Sequence, residues 1–243
     1  MQTATALQTE VRKATPDQMK DIYGLAIQAI PTDLSFETAQ SVIGNKSAFI
    51  VKVQGLFPDT KTLHDPIKQW EALYREEFGE SPDFSGVRIP EKREDFTRLI
   101  IVAQGLTLNR AYDACAKKFP CWRYTDDLDT DVPTNDRTPT ESYAIWVRDR
   151  QEADEELKNL SADDLTEKNI KDITLLERIL LELKYFRETG KHLDIQNVTL
   201  CSGSRYRDGV VPYAHWFGDG FKVGWRYRDY LDPYSRSRSV VLL

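Results

Sequence analysis

The residues best suited to chemistry are concentrated late in the chain. Cys201 and Arg207 stand six positions apart in Cys201-Ser-Gly-Ser-Arg-Tyr-Arg207. A thiolate there would be a nucleophile, and a guanidinium at that spacing can clamp two phosphate oxygens. His192 and Asp194 supply the other residue types of a Cys–His–Asp set, whose members meet in space and not in sequence. From Thr199 to Leu243 rings and cations interleave, among them Arg205, Arg207, Trp216, Trp225, Arg226, Tyr227, Arg228, Arg236 and Arg238. Seven cations against four anions give this stretch +3 in a chain of net −6, leaving −9 for the rest. Arginine stacks on rings and grips phosphate or carboxylate. Rings for bases plus cations for phosphates would suit single-stranded nucleic acid, and the cations alone an acidic protein. A period of two sets Trp225 and Tyr227 on one strand face, with Arg226 and Arg228 on the other. The competing reading buries those rings under a helix and leaves the arginines in water.

The Cys-x5-Arg spacing resembles the phosphate loop of protein tyrosine phosphatases over seven residues, and implies a cysteine-dependent hydrolase. The chain departs from that family in having Leu200 before the cysteine, and Asp208-Gly209 where a helix should lower the thiol pKa. Asp127, Asp129 and Asp131 match the first, third and fifth ligands of a calcium loop, but the next position is Val132 and the closing one Thr138. A solvated loop is the expectation, and neither a metal nor a cofactor is assigned. No two cysteines have the spacing of a structural zinc site.

With 243 residues, 40% of them hydrophobic and 30% charged, the chain can bury a core without metal or disulfide support. A pI near 5.3 argues against wholesale coating of nucleic acid. No apolar run approaches the roughly 18 residues of a membrane helix. Three cysteines and a start lacking a basic region followed by an apolar core predict reduced thiols and a cytoplasmic location.

The elements that must position these residues predict an α+β protein. Residues 1–14 read as a disordered tail. Residues 15–119 read as helical, with helices from Pro16, after Ser35, from about Lys46 to Gln54, from Pro66 to Phe78, over Phe96–Gln104 and over Leu108–Phe119. Val102–Cys115 also resembles the turn and second helix of a helix-turn-helix, with Gly105 at the turn. Residues 120–243 form an α+β region, with the loop 126–140 as a boundary candidate. There Gln151–Asn159 reads as a polar helix. The helix after Thr174, with Glu177 closing a capping box, turns an apolar face toward an antiparallel sheet of four to six strands. Val211–Phe217 and Phe221–Tyr227, joined by Gly218-Asp-Gly220, predict a hairpin, and Ser237–Leu243 a last strand.

Gly190-Lys-His-Leu-Asp194, Thr199-Leu-Cys-Ser-Gly-Ser-Arg205, the tryptophan-bearing hairpin and Arg236-Ser-Arg238 are similar to a family of uncharacterised bacterial proteins. The similarity spans about the last 70 residues and implies an intracellular bacterial protein without supplying an activity. The expectation is a non-enzymatic binding protein that engages nucleic acid or an acidic partner through its C-terminal sheet. The alternatives are a hydrolase at Cys201 and Arg207 with His192, or a protein-interaction module.

Overall fold

The computed structural model describes residues 16–28, 31–44, 53 and 65–243. The expected tail, the Thr15 cap and the Lys46–Gln54 helix, Val53 apart, lie outside them. The chain divides into two units, residues 1–60 and 61–243. The first contains α1 (Pro16–Gln28) and α2 (Phe36–Gly44). Ser35 caps α2 by accepting from Thr38 N at 3.2 Å.

The second unit is α+β. It opens with α3 (Pro66–Phe78), capped by Asp65 and stopped by Gly79 in the left-handed region. The next expected helix is a strand, β1 (Arg98–Val102). Its run of β-branched and leucine side chains is buried on both faces, and pairing with a partner strand satisfies its backbone. β1 pairs antiparallel with β4 (Tyr143–Val147). From α3, Trp70 Nε1 donates to Leu99 O and Tyr74 OH to Ile101 O, each at 3.0 Å. A strand before α4 (Leu108–Ala116) removes the helix-turn-helix reading.

After α4 come β2 (Cys121–Arg123), the short α5 (Leu128–Asp131) and β3 (Thr134–Asn135). Loop 126–140 lies inside this unit, and its Leu128 and Val132 join the core. Residues 151–159 hold one 3-10 turn, Glu155–Leu157, in place of the expected polar helix, because Ala153, Asp154 and Leu157 are buried. α6 (Ala162–Glu167) leads to α7 (Leu175–Thr189). The Thr174–Glu177 capping box forms, and Gly190 ends α7 at φ 67°. Every residue from Leu175 to Lys184 is buried. α7 touches α4, β1 and β7, so it is the central element rather than a surface helix.

The main sheet follows from β5 (Val198–Leu200), β7 (Val211–Phe217), β8 (Gly220–Arg226) and β9 (Ser235–Arg236), in the order β2-β8-β7-β5-β9. β6 (Ser204–Arg205) pairs with β3. The sheet is mixed. Its inner pairs are antiparallel as expected, while both edge strands run parallel to their neighbours. The expected last strand contributes only single bridges, Ser239 to Asp172 and Val241 to Trp146. Among the described residues, no helix is long and apolar enough to cross a membrane.

Candidate functional site

The register of the hairpin decides which rings face outward. Opposed residues in β7 and β8 are Tyr213 with Gly224, His215 with Lys222 and Trp216 with Phe221. Phe221, Val223 and Ala214 are fully buried, so their face is the inner one, and the period of two puts Trp216 and Trp225 there too. Both pack against the core. Trp216 stacks on the His192 ring at 3.4 Å between centroids. The other face carries Tyr213, His215 and Phe217 from β7, with Lys222 and Arg226 from β8, but its β5 end is covered, because Tyr213 packs against a second core of Leu157, Ala162, Leu165, Leu200 and Val211. β2 extends this face, because Trp122 stands level with Lys222. Tyr124 follows two residues later and donates its backbone N–H to Val223 O.

These rings form a platform. Tyr213 meets His215 edge-on at 5.6 Å, and His215 lies nearly parallel to Phe217 at 5.7 Å. Trp122, Tyr124 and Phe217 are 46%, 59% and 68% exposed. Gly224 makes room for Tyr213, whose ring would lie 2.5 Å from a Cβ at that position. At the end of the hairpin Tyr213, Trp225, Arg226, Tyr227 and Tyr230 line an open cleft of about 260 Å³. The Arg226 guanidinium sits 5.2 Å from the Tyr213 centroid and 5.4 Å from that of Tyr230. Burial pushes the His215 pKa down to about 4, so this ring is neutral at pH 7.

The cations are more occupied than the sequence suggests. Arg226 pairs with Asp232 and also donates to Ser235 Oγ. Arg228 pairs with Asp163 at 2.7 Å, and Arg236 with Glu155. Arg238 is buried, its NH2 group 2.6 Å from Asp194 Oδ1. Arg205 and Arg207 donate to backbone carbonyls, of Ser202 and Ser204 and of Thr130 respectively. Lys222 is lightly held, 3.9 Å from Asp219. Of the rings and arginines expected to bind, Tyr227 is exposed and Arg226 faces outward, Trp216 and Arg238 are turned into the protein, and the half-buried Trp225 packs on the core while reaching the cleft. Trp122, Tyr124, Tyr213, His215 and Phe217 were missed. The signal was present in the alternation of β7, counted from Tyr213 instead of Trp216.

The nucleophile set does not assemble. Cys201 is fully buried, and burial holds its thiol pKa far above the ordinary value. Its Sγ donates to Thr199 O at 3.8 Å. Arg207 lies in solvent against Thr130 and Asp131. His192 Nδ1 turns to Glu182 Oε1 at 2.9 Å. Asp194 instead joins two buried arginines, with Arg178 NH2 2.8 Å from its Oδ2. Burial alone would raise the Asp194 pKa, but Arg238 and Arg178 outweigh it and leave the carboxyl below its ordinary value. His192 and Asp194 thus join an ion network inside the core, through Glu182 and Arg178, and Cys201 and Arg207 stand outside it. The acidic loop is structural as well. Asp127 caps α5 by accepting from Thr130 N at 3.0 Å. Asp129 accepts from Leu108 N at 2.7 Å, at the start of α4, and Asp131 binds Thr125 Oγ1. Among the described residues, no group of three His, Cys, Asp or Glu is placed to hold a metal ion.

A polar cavity of about 290 Å³ lies where the Cys201–Arg205 loop meets the segment before α7. Asp136, Lys171, Asp172, Ser202, Arg205 and Arg228 are among its lining residues. Asp172 is 3% exposed and receives the hydroxyls of Ser202 and Ser237. Burial pushes its pKa up to about 7, against the pull of Ser237, Arg137 and Arg205. Gly203 permits the approach, since a Cβ there would lie 3.1 Å from the carbonyl oxygens of Asp172 and Ile173.

No family model, curated protein or solved structure matches this chain.

Proposed function

We propose that this is a binding protein whose recognition surface is the outer face of β2, β8 and β7, and that its ligand is single-stranded nucleic acid. The observation that carries the reading is the set of exposed rings Trp122, Tyr124 and Phe217 around Lys222, continued inward by the half-buried His215 and Tyr213. Three large rings left in water on one sheet face are surface a ligand can cover. Every base offers a π-face to such rings whatever its sequence, at about 1–3 kcal/mol per stacked base.

Charge has a smaller part in this reading than the sequence implies. Arg226, Arg228, Arg236 and Arg238 already have carboxylate partners. Lys222 and a partly released Arg226 leave one or two phosphate contacts on the platform. Binding of oligothymidylate should therefore have a log–log salt slope of about −0.7 to −1.4, against about −4 if six arginines were free. Fluorescence titration across a salt series measures it. Trp122→Ala should cost about 1–3 kcal/mol of affinity and leave stability nearly unchanged, because this ring is almost half exposed. An absence of binding at low salt, or a Trp122→Ala variant that binds as wild type, would overturn the reading. Capture of an acidic peptide on the same face, with no oligonucleotide bound, would transfer the surface to a protein partner.

A further inference from the structure

We propose that the cavity between Asp172, Ser202, Arg205 and Arg228 is a phosphate-binding site, taking inorganic phosphate or a phosphate monoester. It goes beyond the ring platform and involves none of its rings. Three cations, Lys171, Arg205 and Arg228, line it against two acids, Asp136 and Asp172. Its volume, about 290 Å³, is at the small end for ligand sites and suits a compact polar group.

Arg205 points most directly to an anion. Its guanidinium donates to the carbonyls of Ser202 and Ser204, and among the described residues it has no carboxylate within ion-pair distance. It is half-buried with Arg228 close by. Burial, and then the charge of Arg228, hold its pKa below the ordinary value. A bound anion would relieve both effects. Arg228 is paired with Asp163 at 2.7 Å, whereas Arg205 keeps guanidinium donors for a tetrahedral oxyanion, with Lys171 and Arg228 beside it and the acids Asp136 and Asp172 on the same wall.

Asp172 fits the same site. Facing it are Arg137 and Asp136 from the loop before β4, Arg205 from β6, and the hydroxyls of Ser202 and Ser237. Lys171 and Arg228 complete the cavity wall, and Arg137 is itself paired with Glu177 of α7 at 2.6 Å. With its pKa near 7, Asp172 holds a proton about half the time at neutral pH. The protonated form can donate to a phosphate oxygen and the ionised form repels it, so binding should take up a proton. Lys171, Arg205 and Arg228 offer donors from three chain segments. That arrangement suits the tetrahedral oxygens of phosphate better than a planar carboxylate, which one guanidinium fork already satisfies.

The test is calorimetric titration of the full chain with inorganic phosphate, phosphoethanolamine, sulfate and acetate. Sulfate keeps a fixed charge across neutral pH, so it isolates the titration of Asp172. Saturable binding of phosphate and sulfate near pH 6 is expected, with sulfate about tenfold weaker near pH 8. Asp172→Asn should make the sulfate affinity independent of pH. Arg205→Gln should weaken phosphate at least about tenfold. Arg228→Gln, at a more exposed position, should weaken it less and guards against misfolding of the first variant. Tighter binding of phosphoethanolamine than of phosphate assigns a monoester, and the reverse order a free ion. The proposal is overturned by an absence of saturable binding near pH 6, by wild-type affinity in both arginine variants, by a sulfate affinity flat with pH in the wild type, or by acetate binding as tightly as phosphate. Since these probes carry no rings, either outcome leaves oligonucleotide binding at the platform to be decided separately.

Discussion

Replacing Asp172 by asparagine should stabilise the protein strongly in mildly alkaline solution and only slightly in acid. The carboxyl is buried, and its pKa rises from an ordinary 3.8 to about 7. Between those values the folded chain keeps a proton that the unfolded chain releases, so stability falls as pH rises through this window. Above about pH 7 the full difference applies, roughly 3 pH units or about 4 kcal/mol at about 1.4 kcal/mol per unit. Asparagine has no charge to bury. Ser202 and Ser237 both donate to Asp172 Oδ2, so an asparagine with its oxygen at that position keeps both hydrogen bonds. The variant should therefore gain about 4 kcal/mol near pH 8 and only about 1 kcal/mol near pH 4.5, just above the ordinary pKa of 3.8. Urea unfolding followed by tryptophan fluorescence, with both proteins at several pH values, gives the difference directly. All other acids cancel in the comparison. An equal difference near pH 4.5 and near pH 8 would refute the reasoning, because Asp172 would then titrate alike in the folded and unfolded chains.

Leu180→Ala should cost about 2–5 kcal/mol in the same urea assay, because Leu180 is fully buried in the central helix and its neighbours can close the cavity only in part. Native protein should resist iodoacetamide near pH 7, with all three thiols reacting only in denaturant. Cys115 and Cys201 are buried, and burial pushes the half-buried Cys121 up to about 12. Rapid native labelling of Cys201 would return the nucleophile to consideration. Gly224→Ala should cost about 1–3 kcal/mol by displacing the Tyr213 ring, and the cost should vanish in a Tyr213→Ala background; a full cost there would place the clash elsewhere.

Local signals carried the fold wherever an element completes its own chemistry. The Thr174–Glu177 box, Gly190, the Asp65-Pro66 start and the Gly218 turn could each be read because cap and turn geometry depends on neighbours in sequence. β1 could not, since a five-residue apolar run has the same pattern in a buried helix and a buried strand. What makes it a strand is β4, more than forty residues away. The parallel pairing of the edge strands β2 and β9 was hidden for the same reason. The site failed on a finer distinction. Sequence gives alternation along β7 and β8, but not which phase faces water, and a one-residue error exchanges every ring. Trp216 and Trp225 drew attention by size, whereas Phe221 and Val223 fix the inner face and turn Tyr213, His215 and Phe217 outward. The charges misled in the opposite sense. Arg238, Asp194 and Arg178 are far apart in sequence and look like solvated residues, yet they neutralise one another in the core. Once those cations are removed from the surface, the +3 of the C-terminal stretch no longer describes the face a ligand would meet. The rings then carry recognition on the platform, and Arg205, half-buried without a carboxylate at ion-pair distance among the described residues, points to a second site at Asp172.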